Sequence, residues 1–328
     1  MSLAVSGLSK KYGDKTVVDN LSFEIRQPGV YALLGTNGAG KTTAIRMILG
    51  MLSRDSGTVL WNDAPLNVST CNIGYLAEER GLYPKFNLLD QLIYFAGLRG
   101  VGKAEAKKRI RYWSHRLEVD EYLYPTKPVR RSAFGAGGNR LSNPAGEVRE
   151  LPSKRADQLS KGNQQKIQLM TALISDPELI VLDEPLSGLD PVNTDLFKSI
   201  IREEISKGKY LIMSSHQMAT VEEFCTDITI LNRSKTILQG HLNDIKKSYG
   251  RVNLLLKTER DITPQIREAG IAVVSKNEYE YRLKVTGEAQ ANALLGRLIA
   301  ENTPIITFDL REPSLHEIFV EKVGEADA

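Results

Sequence analysis

The stretch Val30-Tyr31-Ala32-Leu33-Leu34-Gly35-Thr36-Asn37-Gly38-Ala39-Gly40-Lys41-Thr42 decides the fold. Its apolar first part predicts a buried strand. Lys41 to Leu49, with Ile45, Ile48 and Leu49 on one side, predicts a helix. Between them lies G-x-x-x-x-G-K-[ST], in the strand–turn–helix setting that a phosphate loop needs. Glycines at 35, 38 and 40 let backbone N–H groups turn inward on phosphate oxygens. Lys41 offers a mobile positive charge for the β- and γ-phosphates, and the Thr42 hydroxyl is a ligand type for Mg²⁺. The helix aims its positive end at the same anion. A Gly-rich turn that binds nothing would explain the glycines but not a Lys-Thr pair at a helix start. The segment points to a nucleoside triphosphate.

A second segment narrows the class. Leu179-Ile180-Val181-Leu182, between Pro177 and the Asp183-Glu184-Pro185 that follows, predicts a fully buried parallel strand. Two adjacent carboxylates are costly inside a core, so they are expected at the edge where open α/β sheets bind ligands. There Asp183 can hold Mg²⁺ and Glu184 can polarise or deprotonate an attacking water.

Leu159-Ser160-Lys161-Gly162-Asn163-Gln164-Gln165 precedes an amphipathic run with Ile167, Leu169, Met170, Leu173 and Ile174, closed by Pro177. A Ser at a helix N-terminus followed by Gly presents a hydroxyl and bare N–H groups to an anion, although taken alone Ser160 is simply an N-cap. In the order phosphate loop, Ser160 segment, carboxylate strand, the chain resembles the ATPase subunits of ATP-binding cassette (ABC) transporters. Their signature begins Leu-Ser-Gly-Gly-Gln, and this chain departs from it at Lys161 and Asn163. The resemblance runs from Leu3 to about Gly240.

The resemblance assigns further roles. Ser187-Gly188-Leu189-Asp190 resembles the loop that touches the opposite subunit, and His216, after Tyr210 to Ser215, resembles the switch histidine that contacts the γ-phosphate. Tyr12 falls where the family stacks a ring on adenine. The implied catalytic residues are Glu184, His216 and Lys41. The implied nucleotide contacts are Tyr12, Gly35, Thr36, Asn37, Gly38, Ala39, Gly40, Lys41, Thr42 and Thr43, with Ser160 and Gly162 reaching the partner's nucleotide. The implied metal ligands are Thr42, Glu78 and Asp183. Glu78 is a departure, since the family usually carries Gln there. A carboxylate oxygen is an ordinary Mg²⁺ ligand, but its charge adds repulsion beside Asp183 and Glu184. The run Glu78-Glu79-Arg80-Gly81-Leu82-Tyr83 resembles bacterial sodium- and drug-efflux ATPases. His115, His241 and His316 have no such context and are expected to be ordinary.

Composition agrees. A chain of 328 residues, 41% hydrophobic and 25% charged, has room for about two cores. A net charge of +3 is too small to imply nucleic acid, and none is expected. Cys71 and Cys225 lack metal spacing and fit a reduced compartment. No apolar run is long enough to span a bilayer, so any transport path must belong to another chain. The resemblance then implies ATP and Mg²⁺ as cofactors. It also implies an integral membrane permease and a second ATPase subunit, the same or different, as partners. It places the chain in the cytoplasm, peripheral on the inner face of the membrane. The competing reading is a soluble ABC ATPase acting on a ribosome or nucleic-acid complex. Such relatives carry two cassettes or long coiled coils, and neither occurs here.

The expected fold is α/β, a P-loop NTPase core over 1–240 with a helical subdomain at about 86–175. A small α+β domain follows over 241–328, where the order β-α-β-β-α-β from Val252 to Leu310 predicts a ferredoxin-like unit. Glu312 to Phe319 starts a final amphipathic helix. Pro125 to Glu150, with Gly135, Gly137, Gly138, Gly146, Lys127, Arg130, Arg131, Arg140 and Arg149, reads as an inserted loop. It is expected to be silent, or else to meet anionic lipid or an acidic partner face.

Overall fold

The computed structural model describes residues 2–79, 81–128 and 148–327. In chain order, Leu3–Tyr12 (β1) and Lys15–Ile25 (β2) form an antiparallel hairpin. Gly29–Gly35 (β3) leads into Lys41–Ile48 (α1). Next come Ser56–Trp61 (β4), Ala64–Pro65 (β5) and Ile73–Leu76 (β6). The helices Leu88–Leu98 (α2), Lys103–Arg116 (α3) and Asp120–Leu123 (α4) follow. Short strands Thr126–Pro128 (β7) and Val148–Glu150 (β8) precede Lys161–Leu173 (α5). Leu179–Asp183 (β9), Pro191–Ser206 (α6), Tyr210–Ser215 (β10) and Met218–Val221 (α7) come next. Asp227–Asn232 (β11), Lys235–His241 (β12) and Leu242–Tyr249 (α8) lead to the last part. This part holds Asn253–Thr258 (β13), Thr263–Glu268 (α9), Ala272–Asn277 (β14), Glu280–Lys284 (β15), Glu288–Ala300 (α10), Ile305–Arg311 (β16) and Leu315–Asp327 (α11).

Two compact units result, Met1–Val30 with Gly40–Ser215, and Tyr31–Ala39 with His216–Ala328. β3 pairs in parallel with β11, Tyr31 opposite Asp227 and Gly35 opposite Leu231, so 31–39 belong with the later chain.

In the first unit, β2-β1-β4-β5 is an antiparallel sheet, and β6, β9 and β10 run parallel. Every residue of β9 is buried, which is why its sequence is apolar without alternation. Leu76 lies opposite Leu182 and Ser214 opposite Asp183, so all three strands end on one side. α5 starts at Ser160, whose Oγ accepts from Asn163 N at 3.3 Å, and buries Ile167, Leu169, Met170 and Leu173. α6 begins at Pro191. Asp190 caps it, accepting from Asn193 N at 2.9 Å, and Pro191 occupies the first turn, where a missing N–H costs nothing. α2 is half-exposed, burying Leu88, Leu92 and Ala96 but showing Tyr94 and Leu98.

α3 is tied to α6 by Glu203. Its Oε1 accepts from Tyr112 OH at 2.8 Å and Lys207 Nζ at 2.9 Å, and its Oε2 from Arg116 Nε at 3.1 Å. Partial burial pushes this carboxyl up, but the Lys207, Tyr112 and Arg116 donors outweigh it and hold it down to about 2. A depressed carboxylate stabilises fully above its unfolded value of 4.5 and loses that contribution as pH falls through about 2. Glu203→Gln should therefore cost about 1 kcal/mol near pH 7, a modest sum for a partly exposed site. Melting curves of variant and wild type should converge with acidification. A gap unchanged from neutral to acid pH would take the ion pair out of the account.

The Pro/Gly/Arg segment does not begin and end as plain loop. β7 and β8 pair antiparallel, Thr126 opposite Glu150 and Lys127 opposite Arg149. Gly135, Gly137, Gly138, Gly146, Arg130, Arg131 and Arg140 lie outside the described residues.

In the second unit β3, β11 and β12 are adjacent, with Tyr31 OH and Thr229 Oγ1 hydrogen-bonded at 2.6 Å in the interior. The expected β-α-β-β-α-β order forms an antiparallel sheet ordered β14-β15-β13-β16. Leu254, Leu256, Tyr281 and Leu283 alternate onto one face and meet Ile266, Leu294 and Leu298 from α9 and α10. The buried Tyr281 keeps its hydroxyl satisfied, donating to Asp261 Oδ1 at 2.6 Å and accepting from Ile262 N at 3.1 Å. α8 lies outside the sequence expectations, and α7 is a single turn.

Candidate active site

The phosphate-loop glycines are set by contact. A Cβ on Gly35 would lie 2.4 Å from Leu231 O. One on Gly40, at φ 107°, would lie 2.4 Å from Val17 O. Neither site admits another residue without backbone movement. Ala39 N donates to Thr36 O at 3.2 Å, which closes the loop, and Ala44 N to Gly40 O at 2.9 Å, which starts α1. Thr36, Asn37 and Gly38 are exposed at the loop tip, and Thr42 and Thr43 are half-buried.

Around the start of α1 the first unit gathers a buried charged cluster. Lys41 is 6% exposed and its Nζ lies 3.3 Å from Glu184 Oε1. Thr42 Oγ1 donates to Asp183 Oδ1 at 3.2 Å, and Ser214 Oγ donates to the same oxygen. Ser214 Oγ in turn accepts from Glu184 N at 2.9 Å. The two carboxylates lie at the end of β9, and both are enclosed there, Asp183 at 0% and Glu184 at 6% exposure. The Lys41 charge and the hydroxyls offset part of that cost. Burial, foremost, pushes the Asp183 carboxyl above its ordinary range. The Ser214 and Thr42 hydroxyls oppose this, Glu184 adds to it and Lys41 opposes it. Glu184 has φ 49°, left-handed for a residue with a side chain, which is the strain found where geometry serves function.

Ser214 is the residue that sequence reasoning passed over. Its role comes from the register that sets β10 beside β9, Ser214 opposite Asp183.

The other expected residues are placed as follows. Tyr12 is 54% exposed at the end of β1, with Lys10 Nζ 5.5 Å from its ring centre and paired to Asp55 at 2.7 Å. Glu78 is exposed beyond β6, on the side where β9 ends in Asp183. Among the described residues no hydrogen bond or ion pair joins Glu78 to Thr42 or Asp183. Ser160 is exposed at the start of α5, and a Cβ on Gly162 would meet only ordinary contacts. α5 is held to the carboxylate strand by Gln165 Nε2 donating to Pro185 O at 2.6 Å. It is held to the segment after β6 by Gln168 Nε2 donating to Glu79 O at 3.3 Å. His216 is exposed, directly after β10.

A Mg²⁺ fits this donor set. Asp183 Oδ2 is buried and finds no hydrogen-bond partner among the described residues, while Thr42 sits beside the same carboxylate. Among the described residues no group of three or more His, Cys, Asp or Glu could by itself hold a metal. That suits an ion that takes one or two protein oxygens and completes its shell with phosphate and water.

Comparison with known proteins agrees with this geometry. Residues 18–187 match the ABC transporter family, and residues 240–323 match the DrrA1-3-like ATP-binding protein C-terminal domain. The chain is 38% identical over 323 residues, 98% of both chains, to the uncharacterized ABC transporter ATP-binding protein YhaQ of Bacillus subtilis. It is 27% identical, again over 98% of both, to the linearmycin resistance ATP-binding protein LnrL of the same organism. The solved structure of an ATP-binding subunit of an ABC transporter matches 76% of this chain and 93% of its own. Its TM-score is 0.61 and its identity 26%. The family binds and hydrolyses ATP, and its ATP-binding proteins generally dimerise and work with membrane permeases. From its phosphate loop, its buried carboxylates and these matches, the chain belongs to the ABC transporter family as an ATP-binding, ATP-hydrolysing subunit.

Proposed function

We propose that the chain powers export through a separate integral membrane permease, working as an ATP-closed dimer with a second ATPase subunit on the cytoplasmic face of the membrane. The observation that carries the reading is the enclosed cluster of Lys41, Thr42, Asp183, Glu184 and Ser214. The direction of transport is supported by a relative that confers linearmycin resistance. A Nod factor export ATP-binding protein of Paraburkholderia xenovorans, 29% identical over 71% of this chain and 68% of its own, supports it too.

In this reading Gly35 to Thr43 wrap the triphosphate, Tyr12 stacks on the base, and Ser160 and Gly162 of the second subunit close over the γ-phosphate. Lys41 leaves Glu184 for the phosphate as nucleotide enters, which releases the Glu184 carboxylate to take a proton from the attacking water. His216 holds the γ-phosphate side of the site. Thr42 and Asp183, with Glu78, would hold Mg²⁺, whose part is to neutralise charge on the β- and γ-oxygens. ATP favours the closed dimer, and hydrolysis and release return it to the open one.

Among the described residues no helix is long and apolar enough to cross a membrane, so the path is assigned to the permease. A surface suited to it exists. Tyr83, Phe86 and Tyr94 are each more than half exposed around a cavity of about 390 Å³ that Asp90 and Gln91 also line. Exposed aromatics of this kind are the usual anchors of protein interfaces. The test is to purify the tagged chain from membranes and identify what comes with it. A polytopic membrane protein that stimulates ATP hydrolysis is expected, and a ribosomal or nucleic-acid complex in its place would overturn the reading.

The Glu78 departure makes a separate prediction. Glu78→Gln should keep ATPase activity within about tenfold, since an amide oxygen can serve at Mg²⁺, and Glu78→Ala should be slower. Equal rates for wild type and the alanine variant would remove Glu78 from the site.

A further inference from the structure

Glu222 comes directly after α7, the single turn that follows His216. Its side chain is 19% exposed and both of its oxygens are engaged. Oε1 accepts from Lys246 Nζ of α8 at 2.6 Å, and Oε2 accepts from the backbone N–H of Leu315, the first residue of α11, at 3.0 Å. A carboxylate against a helix N-terminus is favourable to both.

The start of α11 is itself fixed to the C-terminal sheet. Ser314 N and Oγ each donate to Glu317 Oε2 at 2.8 Å, and Glu317 N donates back to Ser314 Oγ at 3.3 Å. Asn253 Nδ2, on β13, donates to Glu317 Oε1 at 2.9 Å. Leu315 and Ile318 are fully buried. One carboxylate thus joins the segment after His216 to α8 and, through α11, to the β13 strand.

A lone turn has no cooperative length with which to hold itself. α7 has no side-chain cap at its start, and at its end Glu222 N donates to Met218 O at 2.9 Å. Met218 and Val221 bury one side of it, and Glu222 ties its end to α8 and to the start of α11. We infer that Glu222 is a positioning residue for His216, through which the C-terminal module sets the rate of ATP hydrolysis without touching nucleotide. The inference rests on the proposed role of His216 and on no other part of that reading.

Single-turnover and steady-state ATP hydrolysis by the full chain test it. Glu222→Ala should lower kcat roughly ten- to a hundred-fold, as a displaced catalytic group does, with KM for ATP within about twofold. Glu222→Gln keeps an acceptor for the Leu315 N–H and should restore most of the rate. In the double variant with His216→Ala the losses should not add, because one residue acts through the other. Additive losses, a KM that rises with the fall in kcat, or a normal kcat in Glu222→Ala would each overturn the inference while leaving His216 in place. A normal rate in His216→Ala alone would instead overturn the role of the histidine. Should Glu222→Ala fail to fold, Ser314→Ala loosens the start of α11 from the other side. It should lower kcat with KM unchanged, and an unchanged kcat there overturns the inference as well.

Discussion

Glu184→Gln should cut ATP hydrolysis by ~10²–10⁴-fold and leave nucleotide binding intact. Glutamine matches glutamate in size, and the backbone of residue 184 keeps its bond to Ser214 Oγ, so the left-handed turn at φ 49° is preserved. What disappears is the carboxylate, and with it the candidate base. The same change removes the anion 3.3 Å from Lys41 Nζ, which competes with incoming phosphate for that ammonium. ATP affinity should therefore hold or rise, and the variant should accumulate as a dimer with Mg-ATP on size-exclusion chromatography. Normal turnover would take Glu184 out of the mechanism. Lost ATP binding would show that the pair with Lys41 is structural, keeping a buried ammonium compensated rather than waiting for substrate.

The parts of this site that were legible in the sequence are those carried by local spacing. A phosphate loop, a capped helix at Ser160 and an unbroken apolar strand each occupy a short window, and their physics is complete within it. The start of α6 was equally local. Asp190-Pro191 is an N-cap followed by proline in the first turn. Ser214 was not legible in this way. A serine near the end of an apolar strand is common, and it matters only because register places it opposite Asp183, far away in the chain. The enclosure of both carboxylates is non-local for the same reason. Burial cost alone puts the two acids at the strand end, and Lys41, Thr42 and Ser214 make their enclosure there tolerable only once the fold brings them together. In the C-terminal part, the order β-α-β-β-α-β from Val252 to Leu310 was legible, and the structure adds that Leu254, Leu256, Tyr281 and Leu283 face its core. The link from Glu222 to Leu315 spans separate elements and leaves no mark in either segment.

Asp183→Asn should make the nucleotide-free protein more stable while lowering Mg²⁺-dependent hydrolysis by ~10²–10³-fold, the usual cost of deleting a charge aimed at the reacting phosphates. Asparagine keeps an oxygen for Thr42 and Ser214, the two donors that the Asp183 carboxylate accepts from. It removes the negative charge, which burial disfavours with Glu184 adjacent. The sign follows from the direction of the shift. A carboxyl whose folded value is raised above its unfolded 3.8 costs stability once pH exceeds the folded value, and costs nothing below 3.8. The higher melting temperature of the variant should accordingly be present near pH 7 and fade on acidification. Mg-ATP should raise the melting temperature of wild type and leave the variant nearly unchanged, because the orphaned Oδ2 that suits a cation is gone. In the proposed reading, such a buried acid sacrifices stability for the metal it would hold. If the variant is both less stable and fully active with Mg²⁺, Asp183 is a structural acid and the metal is held elsewhere.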